Sequence, residues 1–414
     1  MMNGVKLGLE RIQGLMHQLN DPQDKLKFIH VAGTNGKGST CAFFASMLAA
    51  NGYKVGMYTS PAVMDVREQY TINGEWITKD DYARYVAKAC AADVGLIAPD
   101  NKKTDSPTEF EIETAMAFLY FYDKGCDYVV LETGLGGEGD ATNIVKTTVL
   151  SVFTSISEDH LGMIGSNISE IAKTKSGIIK PGVPTVMISN PPEAESVIRS
   201  DCDKKGALLP IVDTKLPEAE LNLKAMGTYQ KDNALLALKG LEILKANDET
   251  LKLDRERNIE AINNTTIPFR MEMICDDPQF FLDGAHNPDA AKRLKETLTE
   301  MLPDHKLIFI MGMFKDKDYS KVAEIMAPMA SDIFTVETPD NERALNADEL
   351  RDCIIKIPES PGEDKVKACS IEDAVKGSIE IAKEFEQNGD RACIIAFGSL
   401  SYLKHIKKCA FVVQ

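Results

Sequence analysis

Short apolar runs alternate with longer segments of helical spacing over the first half of the chain. We predict strands at Leu26–Val31, Val55–Tyr58, Tyr128–Leu131, Val149–Ser155 and Thr185–Ile188. We predict helices at Leu7–Leu19, Cys41–Ala50, Glu109–Asp123, Ile168–Lys175 and Asn233–Leu244. Strands and helices that alternate at these lengths are typical of a parallel, doubly wound sheet. The sequence therefore predicts an α/β fold.

The pattern breaks at Asn263–Pro268, and a second series of strands and helices follows. Its predicted strands are Phe280–Leu282, Leu307–Met311, Asp332–Val336 and Cys393–Phe397. Its predicted helices are Asp289–Met301, Tyr319–Met329, Ala347–Cys353 and Ile371–Phe385. A unit of about 145 residues is an ordinary size for one domain. We therefore expect two domains, at residues 1–267 and 268–414.

Composition narrows the class of protein. The chain has 414 residues, and 63 acidic against 47 basic side chains give it a net charge of −16. This balance disfavours a partner that is a nucleic acid or a membrane surface. No apolar stretch reaches the roughly 18 residues of a membrane span, and the first residues do not resemble a signal peptide. The nine cysteines are scattered singly, which is typical of reduced thiols, so we expect a cytoplasmic protein. We also expect a monomer.

A glycine-rich turn with one lysine lies between the first predicted strand and the helix at Cys41–Ala50. The glycines of Gly33–Gly38 allow backbone N–H groups to converge on one centre, and the helix amino terminus adds partial positive charge. Lys37 adds a full charge, and the hydroxyl of Ser39 or Thr40 can reach a Mg²⁺ on the same phosphates. The alternative is a turn that only links strand to helix. The lysine and the hydroxyls favour polyphosphate binding, although a glycine separates the lysine from the first hydroxyl.

Acidic and histidine side chains follow two predicted strands, at the edge where open α/β sheets bind ligands. Glu132 ends the strand at Tyr128–Leu131, where a Mg²⁺-binding carboxylate is expected beside a phosphate loop. His160 follows the next strand, and Asp159 can orient its ring. A lone histidine is more often a core or surface residue, but this position favours a functional one. Composition alone indicates no more than a solvated helix end for Lys175.

A second corner of this kind opens the second domain. Asn287 and Pro288 are suited to cap a helix and to begin it, so they need no functional explanation. Capping does not explain Asp283 and His286, which project from the same corner. Arg270 lies just after the predicted boundary, from which we expect it to reach phosphates.

Segments of sequence from one end of the chain to the other resemble a known family. They are HVAGTNGKGST (30–40), YTSP (58–61), FEIETAMAF (110–118), ETGLGGEGDATN (132–143), SISEDHLG (155–162), KTKSGIIK (173–180), GTYQKDNALLA (227–237), PFRME (268–272), LDGAHNP (282–288), MGMFKDKD (311–318), ERAL (342–345) and GSLSYL (398–403). Together and in this order they resemble folylpolyglutamate synthases and dihydrofolate synthases, within the Mur ligase group.

The resemblance implies an ATP-binding domain with a P-loop, followed by a smaller Rossmann-like domain that resembles the glutamate ligase domain. It implies ATP and Mg²⁺ as cofactors, a folate or dihydropteroate and L-glutamate as substrates, and an acyl phosphate as the intermediate. The residues it places on the phosphates are Thr34, Asn35, Gly36, Lys37, Gly38 and Ser39. The residues it places on the metal are Ser60, Glu132, His160 and a carbamylated Lys175. It places Asn233, Arg270 and Asp283 on ATP. It gives catalytic roles to Lys37, Lys175 and His286, the last beside the incoming glutamate.

Several positions depart from the family pattern. The usual Ser-Pro-His-Leu is Ser60-Pro61-Ala62-Val63, Glu-Arg is Glu68-Gln69, Gly-Gly-Arg-Leu-Asp is Gly136-Gly137-Glu138-Gly139-Asp140, His-Gln is Tyr229-Gln230, and Pro-Gly-Arg is Pro268-Phe269-Arg270. Two of these changes fall in the Ala62–Tyr70 loop, which together with Phe110 is expected to lie near the pterin. We expect extension of the glutamate tail of a reduced folate, and leave open whether dihydropteroate also serves. The alternatives are a Mur-type cell-wall ligase and a P-loop ATPase that forms no bond.

Overall fold

The structure is a computed structural model that describes residues 7–92, 105–159, 162–213 and 221–413. The described residues form two compact units. The first comprises the residues up to Leu223 together with Gln230–Thr265, and the second comprises Lys224–Tyr229 and the residues from Thr266 onwards. The assignment of two functional domains to residues 1–267 and 268–414 stays a prediction.

The first unit has alternating strands and helices. Its strands are β1 (Phe28–Ala32), β2 (Val55–Tyr58), β3 (Tyr70–Ile72), β4 (Glu75–Trp76), β5 (Tyr128–Glu132), β6 (Thr148–Phe153), β7 (Thr185–Ile188) and β8 (Ile211–Val212). Its helices are α1 (Glu10–Gln18), α2 (Lys37–Ala50), α3 (Lys79–Ala91), α4 (Glu109–Asp123), α5 (Ile168–Lys175), α6 (Pro192–Lys205), α7 (Thr228–Asn247), which begins in the Lys224–Tyr229 segment, and α8 (Arg255–Asn264).

Within the described residues the first sheet has the strand order β4-β3-β2-β5-β1-β6-β7-β8. The strands β2-β5-β1-β6-β7-β8 of this order pair in parallel. Strand β3 is antiparallel to both of its neighbours, β2 and β4. This confirms the predicted α/β class. The β3–β4 hairpin turns at Asn73-Gly74, where both residues have positive φ as a tight hairpin requires. β1 lies between β5 and β6 and is buried along its whole length, so the loop that follows it leaves the middle of the sheet.

The second unit contains a sheet with the order β13-β12-β11-β14-β10-β9 in the described residues. Its strands are β9 (Glu272–Asp276), β10 (Gln279–Leu282), β11 (His305–Met311), β12 (Ala330–Thr335), β13 (Val366–Ala368) and β14 (Arg391–Phe397). Its helices are α9 (Pro288–Met301), α10 (Tyr319–Met326), α11 (Ala347–Ile354), α12 (Ile371–Gln387) and α13 (Leu400–Val413). All of its strand pairs are parallel except β9 with β10. None of the described helices is both long and apolar enough to cross a bilayer.

Element boundaries differ from the prediction where polar residues begin a helix. We predicted that the helix after the glycine turn begins at Cys41, but α2 begins at Lys37. The apolar pattern starts later because the first turn of α2 carries a lysine, a glycine and two hydroxyls. By contrast, α4 has the predicted bounds, since Thr108 and Glu111 form a capping box that defines its first turn.

Candidate active site

The glycine-rich turn wraps from the end of β1 to the start of α2. Gly33 and Gly36 have positive φ values of 155° and 86°. A Cβ at Gly33 would lie 1.8 Å from Oγ1 of Thr154, and one at Gly36 would lie 2.4 Å from Oδ1 of Asn233. The turn is therefore closely packed on both sides and only glycine fits at either position. Asn233, which we predicted to contact ATP, lies against this turn.

Lys37 and Glu132 face each other at the carboxyl edge of the sheet. Nζ of Lys37 lies 3.1 Å from the carbonyl oxygen of Thr34 and 3.9 Å from Oε1 of Glu132. The backbone N–H of Ser60 lies 3.3 Å from Oε2 of the same carboxylate. Strand β5 lies between β1 and β2, so the residues that follow these three strands meet at one edge. The structure thus brings together the predicted phosphate loop and two of the predicted metal ligands.

Two hydroxyls at the start of α2 are available to a ligand. Oγ of Ser39 and Oγ1 of Thr40 are buried and have no hydrogen-bond partner among the described residues. An uncompensated buried hydroxyl is costly, so a metal ion or phosphate there would satisfy it. The described residues contain no group of three or more His, Cys, Asp or Glu that could hold a metal. Mg²⁺ needs only one or two protein carboxylates beside phosphate and water oxygens, so these hydroxyls and Glu132 fit it.

The other two predicted metal ligands are His160 and Lys175. His160 lies outside the described residues. Lys175 ends α5, and its Nζ donates to the carbonyl oxygen of Gly33 at 2.7 Å. Burial and the positive charge of Lys37 lower the pKa of Lys175 to about 7, against the opposing effect of nearby Asp159. A lysine with this pKa is partly neutral at physiological pH.

A buried polar network supports the loop that follows Glu132. Asp140 accepts hydrogen bonds from the N–H groups of Leu135 and Thr142, at 2.7 Å and 3.0 Å. The Thr142 hydroxyl lies 3.0 Å from Nε2 of His30, which is also 3.1 Å from the hydroxyl of Thr133. Burial, and to a lesser degree Lys180, lowers the pKa of His30 to about 3, so this histidine is neutral. Our sequence analysis missed His30, although a histidine inside an apolar strand was a visible signal.

Asp283, at the end of β10, is the centre of the predicted site in the second unit. Its Oδ1 accepts from the N–H of Ala285 and its Oδ2 from the N–H of Met271, both at 2.9 Å. The hydroxyl of Tyr229 donates to Oδ2 at 2.6 Å. Burial raises the pKa of Asp283, while Arg270 and these hydrogen bonds oppose the rise. The sequence revealed Tyr229 only as a departure from the family's histidine, and its bond to Asp283 was not predicted.

The position of Arg270 depends on the lack of a side chain at Gly284 and on the backbone conformation of its two neighbours. A Cβ at Gly284 would lie 2.0 Å from a terminal nitrogen of the Arg270 guanidinium, so this group lies against the glycine. The neighbouring Phe269 and Met271 both have positive φ, at 57° and 47°. Each costs of order 1 kcal/mol for a residue with a side chain. Phe269 occupies the position of the family's glycine, and its N–H donates to Oε2 of Glu272 at 3.0 Å.

His286 lies in the corner that leads into α9. Its Nδ1 is 2.8 Å from the carbonyl oxygen of Gly284. Asn287 caps α9 by accepting from the N–H of Ala290 at 2.9 Å, and Pro288 is the first helical residue. The predicted cap is confirmed.

An aromatic cluster with a half-buried carboxyl lies at the start of α4, beside the Ala62–Tyr70 loop. The rings of Tyr58 and Tyr70 stack with centroids 5.3 Å apart, and the ring of Phe110 is 6.3 Å from that of Tyr58. Oε1 of Gln69 is buried and has no hydrogen-bond partner in the described part of the chain. Burial and the charge of Glu109 raise the pKa of Glu113 to about 7, while a hydrogen bond with Gln69 opposes the rise.

Glu113 predicts a pH dependence of folding stability. The unfolded carboxyl ionises near its ordinary pKa of 4.5, whereas the folded one retains its proton up to about pH 7. The free energy of unfolding therefore falls as the pH rises from 4.5 through about 7, by up to about 3 kcal/mol. Glu113→Gln removes this titration, so we expect it to unfold at higher urea than the parent at pH 8 and at similar urea at pH 4.5.

The control is Glu386→Gln, which changes an exposed carboxyl on α12, far along the chain from Glu113. We expect it to have a small effect on the urea midpoint. An equal stabilisation by Glu113→Gln at both pH values would contradict the assignment.

Two domain families of the Mur ligase group match the chain. The Mur ligase middle domain matches residues 31–200, and the Mur ligase glutamate ligase domain matches residues 269–400. The fold and the glycine-rich loop thus define a Mur ligase. The dihydrofolate synthase/folylpolyglutamate synthase of Bacillus subtilis is 34% identical over 427 residues, which cover 98% of this chain and 95% of that protein. The chain belongs to the dihydrofolate synthase and folylpolyglutamate synthase family.

Solved structures agree with this assignment. The folylpolyglutamate synthase of Mycobacterium tuberculosis, complexed with ADP and AMPPCP, has a TM-score of 0.86 and 26% identity, covering 98% of this chain and 95% of that one. The bifunctional folylpolyglutamate synthase/dihydrofolate synthase of Yersinia pestis, complexed with AMPPNP and a manganese ion, has a TM-score of 0.83 and 25% identity, with coverage of 99% and 95%. The similarity covers nearly the whole of each chain.

Proposed function

We infer that this chain is an ATP-dependent carbon–nitrogen ligase that joins L-glutamate to a folate. The observation that carries the inference is the approach of Lys37 to Glu132 within a glycine turn at the carboxyl edge of the sheet. The named activity of the Bacillus subtilis relative and the nucleotides bound to the solved relatives support it. A cytoplasmic, monomeric enzyme of folate metabolism remains part of the proposal.

The chemistry requires two anions to approach each other. A carboxylate of the folate attacks the γ-phosphorus of ATP, which forms an acyl phosphate and releases ADP. The amine of glutamate then attacks the acyl carbon, so that phosphate leaves and an amide forms. Lys37 and the N–H groups of the turn offset the negative charge during the first transfer. A bound Mg²⁺ would supply further charge neutralisation on the phosphates, with Ser39 and Glu132 suited to hold it.

The remaining roles follow the family resemblance. Thr34, Asn35, Gly36 and Gly38 complete the phosphate turn in this proposal, and Ser60 and His160 join Glu132 and Lys175 at the metal. Asn233, Arg270 and Asp283 are assigned to ATP. His286 is assigned to the incoming glutamate.

We propose that the preferred acceptor is a reduced folate whose glutamate tail is extended. An enzyme that adds the first glutamate must hold dihydropteroate, whose carboxylate sits directly on the benzoyl ring. One that extends the tail must hold a γ-carboxylate farther from the pterin. The same phosphate site serves both, so the acceptor depends on where the pterin rests. Gln69, an altered position in the loop beside Phe110, supports a difference in that region.

The test compares glutamate-dependent ADP release by the purified protein with tetrahydrofolate and with dihydropteroate. We expect turnover with tetrahydrofolate, and either result with dihydropteroate is compatible. Turnover with dihydropteroate alone would contradict tail extension. ADP release that is indifferent to glutamate with both acceptors would instead favour a P-loop ATPase that forms no bond. A Lys37→Met variant supplies the background rate.

A further inference from the structure

One carboxylate on α6 binds Lys173 and Ser176, which lie on either side of Lys175 in the chain. Nζ of Lys173 donates to both oxygens of Asp201, at 2.9 Å from Oδ1 and 2.8 Å from Oδ2. The hydroxyl of Ser176 donates to Oδ2 of the same carboxylate. Lys204, one turn along α6, adds a contact of 3.3 Å to Oδ1. Asp201 therefore joins α6 to the end of α5 on both sides of Lys175.

This carboxylate is buried and charged. Asp201 is only 4% exposed, whereas the side chains of Lys173 and Lys204 are mostly exposed. Burial disfavours the charged form, but the hydrogen bonds from Lys173, Ser176 and Lys204 outweigh it and lower the pKa of Asp201. A buried charge is tolerated only with its partners in place, so the structure defines one arrangement of these groups.

The same segment also packs against the loop after β5. The N–H of Glu138 donates to the carbonyl oxygen of Thr174 at 2.9 Å. A Cβ at Gly137 would lie 2.7 Å from the carbonyl oxygen of Lys175, and one at Gly177 would lie 2.4 Å from Cα of Glu138. Contacts this close leave no space between the segment and the loop. The segment around Lys175 is thus held both by Asp201 and by the loop.

We propose that Asp201 is a positioning residue for Lys175. Its side-chain hydrogen bonds in the described part of the chain are to Lys173, Ser176 and Lys204. Its bonds to Lys173 and Ser176 set the end of α5, and the buried side chain of Lys175 extends from there to the carbonyl oxygen of Gly33. Its effect on turnover rests on the proposed function, because it acts through a lysine assigned to the metal. Its effect on the lysine's position does not.

The first test measures the position of Lys175 without any substrate. Asp201→Asn keeps the volume of the side chain but removes its charge. In buffer freed of CO₂, so that the amine is not carbamylated, we expect an amine-acetylating reagent, read out by mass spectrometry of peptides, to label Lys175 about tenfold faster in this variant, because the lysine becomes locally exposed. Labelling of Lys407, which pairs with Glu272 in the second unit, should stay at the parent rate.

The second test measures turnover in the same variant. We expect kcat to fall about tenfold, because small displacements of a site residue carry large costs in rate. The KM for ATP should stay within about twofold, since the phosphate turn keeps its own bonds. Asp201→Glu, which retains the charge, should recover part of kcat. If Asp201 had only a structural role, the variant would yield less folded protein, and kcat would not fall at an unchanged KM.

The matched control is Asp203→Asn, on the exposed side of the same helix. We expect it to change neither labelling nor kcat. Unchanged protection of Lys175 in folded Asp201→Asn would overturn the proposal, as would equal changes in the control. If the parent protein shows no glutamate-dependent ADP release, the proposed function fails, whereas the labelling comparison still decides the role of Asp201.

Discussion

Lys37→Met is expected to lower glutamate-dependent ADP release about a thousandfold, the loss expected when a cationic group that stabilises transferred phosphate is removed. Methionine retains most of the apolar length of lysine but has no charge. Nζ of Lys37 lies 3.9 Å from Oε1 of Glu132, at the edge of the sheet where the phosphates are expected. The measurement is kcat and the KM for ATP with tetrahydrofolate as acceptor.

The fold should tolerate this change. The side chain of Lys37 lies at the first residue of α2 and is 18% exposed, so its loss opens no closed cavity. The control is Lys146→Met, which removes a largely exposed lysine paired with Asp24 at 3.2 Å. A surface pair of this kind contributes little, so we expect parent activity. Parent-like turnover by folded Lys37→Met would disprove the assignment of the phosphate turn.

Lys175→Ala is expected to lower turnover at least about a hundredfold, and a short-chain carboxylate such as acetate is expected to restore part of it. The reason is the predicted carbamylation, in which the neutral amine bonds to the carbon of CO₂ and releases a proton. The low pKa of about 7 favours this reaction, since it leaves much of the amine neutral at pH 7 to 8. A carboxylate added to the alanine variant would occupy the place of the carbamate.

The measurements are turnover with and without acetate, and the native mass of the parent protein. We expect one added CO₂ in the parent and none in Lys175→Ala. The control is Lys146→Met, which keeps Lys175 and changes a largely exposed lysine, so it should retain the added CO₂ and show no response to acetate. An unmodified parent together with an alanine variant that acetate does not rescue would end the hypothesis.

Local sequence signals predicted the elements whose stability is largely local. The bounds of α4 are those predicted, because its capping box and its apolar positions coincide. Helices α6 and α8 were not predicted, since their sequences are rich in charged residues and poor in apolar ones. They are held by tertiary contacts. Ala194, Ile198 and Cys202 of α6 pack into the core of the first unit, and Nδ2 of Asn51 donates to Oδ1 of Asn258 on α8 at 2.7 Å.

The same division applies to the site. Glu132 and the glycine turn could be placed from sequence, because the carboxyl ends of parallel strands meet at one edge. The hydrogen-bond partners of the site residues could not be predicted from the sequence. The hydroxyl of Tyr229 that reaches Asp283 belongs to a segment 54 positions earlier in the chain. No local pattern connects positions so far apart.

The sequence by itself determined the class of fold, the family, the phosphate turn and the strand ends that carry acidic residues, because these follow from short-range periodicity and from motifs that local backbone geometry requires. Only the tertiary structure decided how the residues are held: that Lys175 is buried with its amine at Gly33, that Asp201 binds Lys173 and Ser176, and that Phe269 has a left-handed conformation. The physical reason is that burial, pKa and hydrogen-bond partners depend on which distant segments pack together, and the chemistry of a buried lysine or carboxylate is set by those neighbours.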